Sequence, residues 1–405
     1  MNYVGTARPI HDAKGKATGY TKYAGDLSLP NMAYLCMLHS KIPHGYVKAV
    51  HAEKALALPG VYGVYHCLNT SERKYNRYRS SFDQAYLANE ERAFNQYVRF
   101  VGDKIGAVAA CDQETAEKAA RLVEVEYEEL PFSIGFDDTF AGKNCLDGET
   151  PVRDEYTLEV GKKQESTEGL IEVCSTMELP RLHHATMETH ACIADYDPYI
   201  DMLTVYCPNQ AVHGIRTVLA DFLEMPESHV RVVKATMGGS FGAKQEWFLE
   251  PVTALVAKKL CRPVKLVYSR GEAMTDTIVR GAMRMSTRGY YTPDGEMKKI
   301  YCDVTLDAGA YIGNAGDYVR ALAGKPTRCY RIPYMHYHGQ VISSNSPVSG
   351  AFRSWSAAEE ALMMERQLDA AAEKLGMDRL AIRLKNVARS GEEDKKLHLS
   401  LEDIR

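Results

Sequence analysis

The spacing of apolar and polar residues predicts a first region in which short strands and helices alternate. Asp112 stands directly before one of the helical stretches, where an aspartate caps free backbone N–H groups. The last three elements have the order of a β-α-β unit. The predicted elements are strand 32–38, helix 47–58, strand 61–67, strand 104–111, helix 113–122 and strand 123–127.

A second, larger mixed region is predicted after residue 168. The stretch 137–168 is rich in Gly, Asp, Lys and Thr and shows no period, so we interpret it as a linker. The boundaries are therefore 1–136 for the first domain, 137–168 for the linker and 169–405 for the second domain, in an α+β fold. The elements expected there are strands 191–195, 203–207 and 230–234 and helices 212–223, 247–260 and 357–375, the last capped by Ser354 or Ser356 and ended by Gly376.

Composition excludes several classes of protein. The 405 residues are 45% hydrophobic and carry a formal charge of −4, which gives no cationic field for nucleic acid. No apolar stretch approaches the length that spans a bilayer, and the N-terminus lacks the pattern of a secretory signal, so we expect a cytoplasmic protein without membrane contact. The ten cysteines include no Cys-x-x-Cys pair to hold zinc or an iron–sulfur cluster.

The sharpest local signal is the glycine turn, residues 237–245, with the sequence MGGSFGAKQ. It lies between a predicted strand and a predicted helix, where free backbone N–H groups surround an anion. A phosphate or pterin cradle is one interpretation, and a tight turn whose glycines only permit close packing is the other. The turn matches neither of the common nucleotide-binding templates.

Two further segments combine chemically active side chains. In the run 183–190, alternate residues of an extended chain bring His184, Thr186, Glu188 and His190 to one side, which is either a metal site or, as we favour, a set of hydrogen-bonded residues where domains meet. The segment 350–356, with sequence GAFRSWS, presents a cation and a flat aromatic face before a helix. Ordinary packing explains an isolated Arg and Trp equally well.

Together these segments resemble the molybdenum hydroxylases of the xanthine dehydrogenase, aldehyde oxidase and carbon monoxide dehydrogenase family, in the large subunit. The run 187–190 (METH) is similar to the family's Met-Glu-Pro-His element, which argues against a separate metal site. The resemblance implies an a/b hammerhead domain followed by the first molybdopterin-binding domain. Further similar stretches in the first domain are 15–19, 23–27, 58–61 and 98–109.

Three ordered motifs carry the resemblance to the cofactor site. The glycine turn resembles Gly-Gly-Gly-Phe-Gly-Gly-Lys-Glu, the pair 209–210 resembles Thr-Gln-Asn, and 351–353 resembles the start of Ala-Phe-Arg-Gly-Phe-Gly. The family implies that Gln210, Phe241 and Arg353 lie near molybdenum without ligating it. The implied cofactor-binding residues are Gln210, Gly238, Gly239, Phe241, Gly242 and Arg353.

The resemblance also implies substrate contacts. Trp355 would stack on a planar substrate, and Arg320 would meet a purine oxygen. These roles imply oxidation of purines such as xanthine and hypoxanthine with water as the oxygen source. Gln245 stands where purine hydroxylases have a glutamate, which keeps an aldehyde or another N-heterocycle open as the substrate. The segment 350–356 lacks the cysteine of the carbon monoxide branch, so we do not expect carbon monoxide oxidation.

The family's general base is a glutamate in a Gly-x-Gly-Glu motif that does not occur here, so we expect no catalytic residue in this chain. A second molybdopterin domain is also missing, and we expect a C-terminal partner chain to supply both. FAD and [2Fe-2S] clusters are expected on partner subunits. Whether the pterin carries a cytosine dinucleotide stays open. We expect the lone chain neither to retain the cofactor nor to turn over, and a non-catalytic remnant that only binds a partner is the alternative.

Overall fold

The computed structural model describes residues 4–78, 89–142, 146, 150–163 and 166–388. The first part of the chain forms short strands and helices around buried apolar positions. Its strands are β1 (Ala33–His39), β2 (Gly45–His51), β3 (Val61–His66), β4 (Lys74–Tyr75), β5 (Glu91–Arg92), β6 (Tyr97–Val98), β7 (Lys104–Ala110) and β8 (Glu124–Glu129). Its helices are α1 (Ala13–Ala17), α2 (Glu53–Leu56), α3 (Gln113–Ala120) and α4 (Phe136–Phe140).

The second part contains longer elements. Its strands are β9 (Val152–Gly161), β10 (Ile171–Leu179), β11 (Ala191–Asp197), β12 (Met202–Cys207), β13 (Val230–Lys234), β14 (Val264–Val267), β15 (Ala282–Tyr291), β16 (Met297–Asp307) and β17 (Tyr334–Ile342). Its helices are α5 (Val212–Leu223), α6 (Glu250–Leu260), α7 (Arg270–Thr275), α8 (Ala315–Ala323), α9 (Pro326–Cys329), α10 (Ala357–Leu375) and α11 (Arg379–Asn386). Short 3-10 turns occur at Ala24–Asp26 and Glu227–His229.

A seven-stranded sheet joins the two parts, in the order β13-β12-β11-β14-β1-β7-β3. β1 pairs in parallel with β14 and antiparallel with β7. All seven residues of β7 are buried, which suits the apolar run from which it was predicted. Helix α6 packs on β11, β12 and β14, and α3 packs on β1 and β7. One hydrophobic core therefore includes residues from both parts of the chain.

A five-stranded sheet, in the order β10-β15-β16-β17-β9, forms a second core with α8 and α10. Its strand β9 lies inside 137–168, so the interpretation of that segment as a linker is wrong over these ten residues. The reason is that the linker was inferred from the composition of the whole segment, although β9 alternates half-buried apolar residues with exposed polar ones, the period typical of a strand. The β9 side chains that face the core are Tyr156, Leu158 and Val160.

Most elements predicted from the pattern are confirmed. Helices 212–223 and 357–375 have the predicted bounds, and the Asp112 side chain accepts from the N–H of Thr115 at the start of α3. The predicted helix 47–58, however, is confirmed only at α2 (Glu53–Leu56), because residues 47–51 belong to β2, which pairs with β8 in a three-stranded sheet. Since β7 and β8 belong to different sheets, the predicted β-α-β unit is also wrong.

Candidate functional site

The glycine turn leaves β13 and continues through irregular backbone until α6 begins at Glu250, three residues later than predicted. Gly239 and Gly242 have φ angles of +101° and +104°, which L side chains rarely adopt. A Cβ atom on Gly242 would lie 2.3 Å from the carbonyl oxygen of Ala351. Glycine at 242 therefore lets the turn pack directly against the segment 350–356, which we call the Arg353 loop.

The three motifs of the resemblance come together at this contact. The Ser240 hydroxyl donates to the side-chain oxygen of Gln210 at 2.6 Å, and the Gln210 N–H donates to the Lys244 carbonyl at 2.8 Å. From the other side, the Arg353 N–H donates to the Phe241 carbonyl at 2.9 Å, and the Arg353 guanidinium lies 4.9 Å from the centre of the Phe241 ring. Segments far apart in the sequence thus form one surface.

Left-handed backbone is concentrated at this surface. Phe241 has a φ of +53°, and the three successive residues Ser354, Trp355 and Ser356 have φ of +65°, +42° and +71°. Non-glycine residues pay a conformational cost there, which surrounding contacts must offset. One such contact is the Ser354 hydroxyl, which accepts from the N–H of Ala358 at 3.1 Å and caps α10. Of the two predicted cap residues, Ser356 occupies the N-cap position without a side-chain bond, and Ser354 makes its bond from two residues earlier in the chain.

The run 183–190 supports these loops rather than a metal. No group of three metal-ligating side chains occurs among the described residues. His184 Nε2 bonds to the Ala351 carbonyl at 2.8 Å, and His190 Nε2 bonds to the Ala243 carbonyl at 3.0 Å. Burial lowers the pKa of both histidines to about 4, so both act as neutral donors. The run therefore holds the glycine turn and the Arg353 loop in place.

A buried ion pair between Glu188 and Lys244, which the sequence did not predict, fixes the start of the turn. One Glu188 oxygen accepts from Lys244 Nζ at 2.5 Å and from the Gly238 N–H at 2.6 Å, while its other oxygen is buried without a partner among the described residues. Burial lowers the pKa of Lys244, and Glu188 opposes this shift. The lysine within the glycine turn, directly after Gly242 and Ala243, was the signal in the sequence that could have indicated this pair.

A cleft of about 720 Å³ opens beside the turn, which is within the usual size of small-molecule sites. Its walls include Tyr23 and Glu188, and its rim carries Met187 and Phe241, whose exposed fractions are 93% and 47%. The backbone N–H groups of Gly239 and Phe241 donate to no protein acceptor within the described part of the chain. Free N–H groups beside a cleft of this size fit a flat anionic group such as a molybdopterin.

The residues predicted to contact substrate are more dispersed. Gln245 is half-buried at the end of the turn, and Trp355 packs its edge against Tyr318, with ring centres 6.0 Å apart. Arg320, expected to meet a purine oxygen, instead forms a two-pronged ion pair with Asp154 on β9, at 2.5 and 3.0 Å. Because that carboxylate balances its charge, the structure does not place Arg320 as a cation open to substrate. Its substrate role stays a prediction.

Matches to known families agree with this geometry. Residues 149–387 match the molybdopterin cofactor-binding domain, and residues 18–131 match the a/b hammerhead domain of aldehyde oxidase and xanthine dehydrogenase. The chain belongs to the family of molybdopterin-binding large subunits of molybdenum hydroxylases. Both the family and the predicted fold class are therefore confirmed.

Particular relatives differ in substrate. The chain is 31% identical over 405 residues to the xanthine dehydrogenase molybdenum-binding subunit of Escherichia coli O157:H7, covering 94% of this chain and 51% of that protein. It thus spans about half the length of the first curated relatives. It is 30% identical to the nicotinate dehydrogenase large molybdopterin subunit of Eubacterium barkeri, covering 94% of this chain and 88% of that subunit.

Solved structures share the fold. The aldehyde oxidoreductase of Desulfovibrio gigas superposes with a TM-score of 0.88 at 25% identity, over 96% of this chain and 44% of that one. The quinoline 2-oxidoreductase of Pseudomonas putida 86 superposes with a TM-score of 0.87 at 24% identity, over 95% of this chain and 50% of that one. Within the described ranges, no helix has the length and apolar character needed to cross a membrane.

Proposed function

We propose that this chain is the molybdopterin-holding subunit of a cytoplasmic hydroxylase that oxidises an electron-poor N-heterocycle, with water as the oxygen source. The observation that carries the proposal is the meeting of three distant segments, at Gln210, at the glycine turn and at the Arg353 loop, around a turn whose Gly238, Gly239 and Phe241 line the cleft. The N–H groups of Gly239 and Phe241 at the edge of this cleft are available to an anionic ligand.

We assign the cofactor contacts to Gln210, Gly238, Gly239, Phe241, Gly242 and Arg353. When bound, the molybdenum cofactor would supply the redox chemistry, by accepting two electrons from the substrate. The free N–H groups of Gly239 and Phe241 would donate to its anionic oxygens, and the Gln210 amide, fixed by Ser240, would be held in one orientation. The exposed ring of Phe241 would exclude water from the bound group.

Two observations favour a heterocycle other than a purine. Gln245 is a neutral amide that cannot exchange a proton with a purine ring as a carboxylate does. The Arg320 guanidinium is already paired with Asp154. A pyridine derivative, the class named by the nicotinate dehydrogenase relative, is therefore our first candidate, with Trp355 as the stacking side chain. Xanthine and hypoxanthine are the second candidates, and an aldehyde is the third.

The complete enzyme requires more than these residues. The chain spans about half of its xanthine dehydrogenase relatives, yet it covers 88% of the nicotinate dehydrogenase subunit, so a subunit of similar extent exists in this family. We propose that a second molybdopterin-domain chain supplies the general base, and that iron–sulfur and FAD subunits carry the electrons away. The pterin is bound in its plain or its cytosine dinucleotide form.

The test is the molybdenum content and substrate range of the assembled complex. Gln210→Ala should lower bound molybdenum at least about tenfold, as the loss of an orienting hydrogen bond does at other metal sites. Gln113→Ala, on the surface helix α3, is the matched control and should bind normally. Turnover is then measured with nicotinate, xanthine, hypoxanthine and benzaldehyde.

Two results would contradict the proposal. Stoichiometric molybdenum and normal turnover in the lone purified chain would refute the need for a partner. A complex with its partner chains that binds no molybdenum would favour the non-catalytic remnant instead.

A further inference from the structure

Glu246 is a buried ionisable residue beside the glycine turn that the cofactor contacts leave unexplained. It is 1% exposed, and neither carboxylate oxygen has a hydrogen-bond partner among the described residues. Its backbone is fixed on both sides, because Asn209 Nδ2 donates to the Glu246 carbonyl at 2.8 Å and the Trp247 N–H donates to the Arg77 carbonyl at 3.3 Å. A buried carboxylate without partners is strongly unfavourable as an anion.

The side chain of Glu246, the residue that follows the glycine turn, reaches the start of the Arg353 loop. A Cβ atom on Gly350 would lie 2.6 Å from one oxygen of Glu246, and a Cβ atom on Gly313 would lie 3.6 Å from the other. Gly350 opens the Arg353 loop. The neighbouring residues Asn314 and Ser349 also have buried side chains without partners in the described part of the chain. The Glu246 side chain thus fills a buried gap behind the start of the Arg353 loop, where Ile278 is also in contact with Gly350.

The charged groups that act on Glu246 come from the hammerhead domain. Arg77 attracts it and Glu91 repels it, but Arg77 is already bound by both oxygens of Glu91. Burial raises the pKa of Glu246 to about 8, against the opposing effects of Arg77 and the nearby N–H of Ala351. At neutral pH the group is therefore mainly an uncharged acid.

We propose that Glu246 is a positioning residue: as a neutral acid it allows the Arg353 loop to pack against the glycine turn, and on losing its proton it loosens that contact. The physical cause is that burial costs less for the uncharged acid than for its anion, and Arg77, the cation that acts on Glu246 among the described residues, is already bound by Glu91. The effect on cofactor retention rests on the proposed function. The change in loop packing does not.

The two tryptophans of the chain make this measurable, because Trp247 adjoins Glu246 and Trp355 lies in the Arg353 loop. Tryptophan emission of the full chain is recorded from about pH 6 to about pH 10. We expect a transition with a midpoint near pH 8 in the unmodified chain and its loss in Glu246→Gln, which mimics the neutral acid. Repeating the titration in Trp355→Phe shows whether Trp247 reports the change by itself.

Glu360→Gln is the matched control. Burial raises the pKa of Glu360 to about 7, and this residue lies on the first turn of α10, close to Trp355 in the chain. The transition should survive in Glu360→Gln. Survival in Glu246→Gln, or failure of that neutral variant to fold, overturns the inference. A chain that shows the transition yet binds no molybdenum in its complex refutes the proposed function and leaves this inference standing.

Discussion

The two sides of the glycine turn differ in how they are held. On the open side, Met187 and Phe241 are exposed at the cleft, and backbone N–H groups point to no protein acceptor within the described residues. On the closed side, Glu246 and Trp247 are each 1% exposed. The indole N–H of Trp247 donates to the Asn76 carbonyl at 2.7 Å. The open side therefore offers hydrogen-bonding groups to a ligand, whereas the polar groups of the closed side are buried within the protein.

The contacts on the closed side show which domain holds the glycine turn in place. Arg77 of the hammerhead domain stacks on the Phe248 ring at 4.8 Å and on the Tyr311 ring at 5.5 Å, and Glu91 binds its guanidinium. The hammerhead domain thus fixes the closed side of a turn that belongs to the other domain. A binding surface held rigid by a second layer of contacts loses less entropy when its ligand binds.

The largest expected effect comes from breaking the closed side. Glu91→Ala leaves Arg77 buried without its carboxylate and removes a partner of Lys104, whose ammonium lies 3.5 Å from Glu91. Removing one member of a buried ion pair costs about 3–5 kcal/mol. We expect a loss of that size in the free energy of unfolding, measured by urea denaturation of the full chain.

The control for this prediction is Arg73→Ala. Arg73 is 37% exposed and pairs with Asp221 and Glu224 on the surface, so its loss should cost less than about 1 kcal/mol. Equal losses in the two variants would show that the closed side is no more strongly coupled than an exposed ion pair.

The same comparison explains what the sequence predicted. The sequence predicted strands with continuous apolar runs, such as β7, and helices with a clear period, such as α5 and α10. In these elements the order of apolar residues along the chain directly indicates which positions are buried. β15 and β16 were not predicted, although their residues alternate between buried and more exposed positions as in a strand with one covered face. The same alternation in β9 was outweighed by the polar composition of the segment around it.

At the site, the motifs identified residues of the glycine turn and of the two segments that contact it, but not the buried residues that support them. Gln210, Phe241 and Arg353 were named by resemblance, and the structure brings them together. Glu246 and the Arg77–Glu91 pair were not named, because their importance arises from how they pack against distant segments, as in the contact between Trp247 and Asn76, which are 171 residues apart. No local pattern contains such a contact. The pairing of Arg320 with Asp154 was hidden for the same reason.

An intermediate effect is expected where the turn meets the Arg353 loop. Gly242→Ala places a methyl group 2.3 Å from the Ala351 carbonyl at a φ of +104°, so both a clash and backbone strain result. Together these should cost about 2–3 kcal/mol. Molybdenum content in the complex should fall with stability. Thermal unfolding followed by circular dichroism measures the first effect, and elemental analysis measures the second.

Gly169→Ala separates strain from clash. Gly169 has a φ of +73°, but no atom lies within 4 Å of the position that an alanine methyl group would take there, so this change should cost only about 1 kcal/mol. If Gly242→Ala is no worse than Gly169→Ala, the close approach of the turn to the Arg353 loop is not important for stability.

The smallest effect is expected on the open side, in the Arg353 loop itself. Ser354 has a φ of +65°, and its hydroxyl caps α10 through the Ala358 N–H. Ser354→Gly loses the hydrogen bond of the hydroxyl but relieves the strained φ. Because the two effects oppose each other, stability should change by less than about 0.5 kcal/mol. Ser354→Ala keeps the strain and loses the cap, so it should cost about 1 kcal/mol. Thermal unfolding of both variants distinguishes them, and equal melting temperatures would mean that the left-handed backbone at 354 stores no strain.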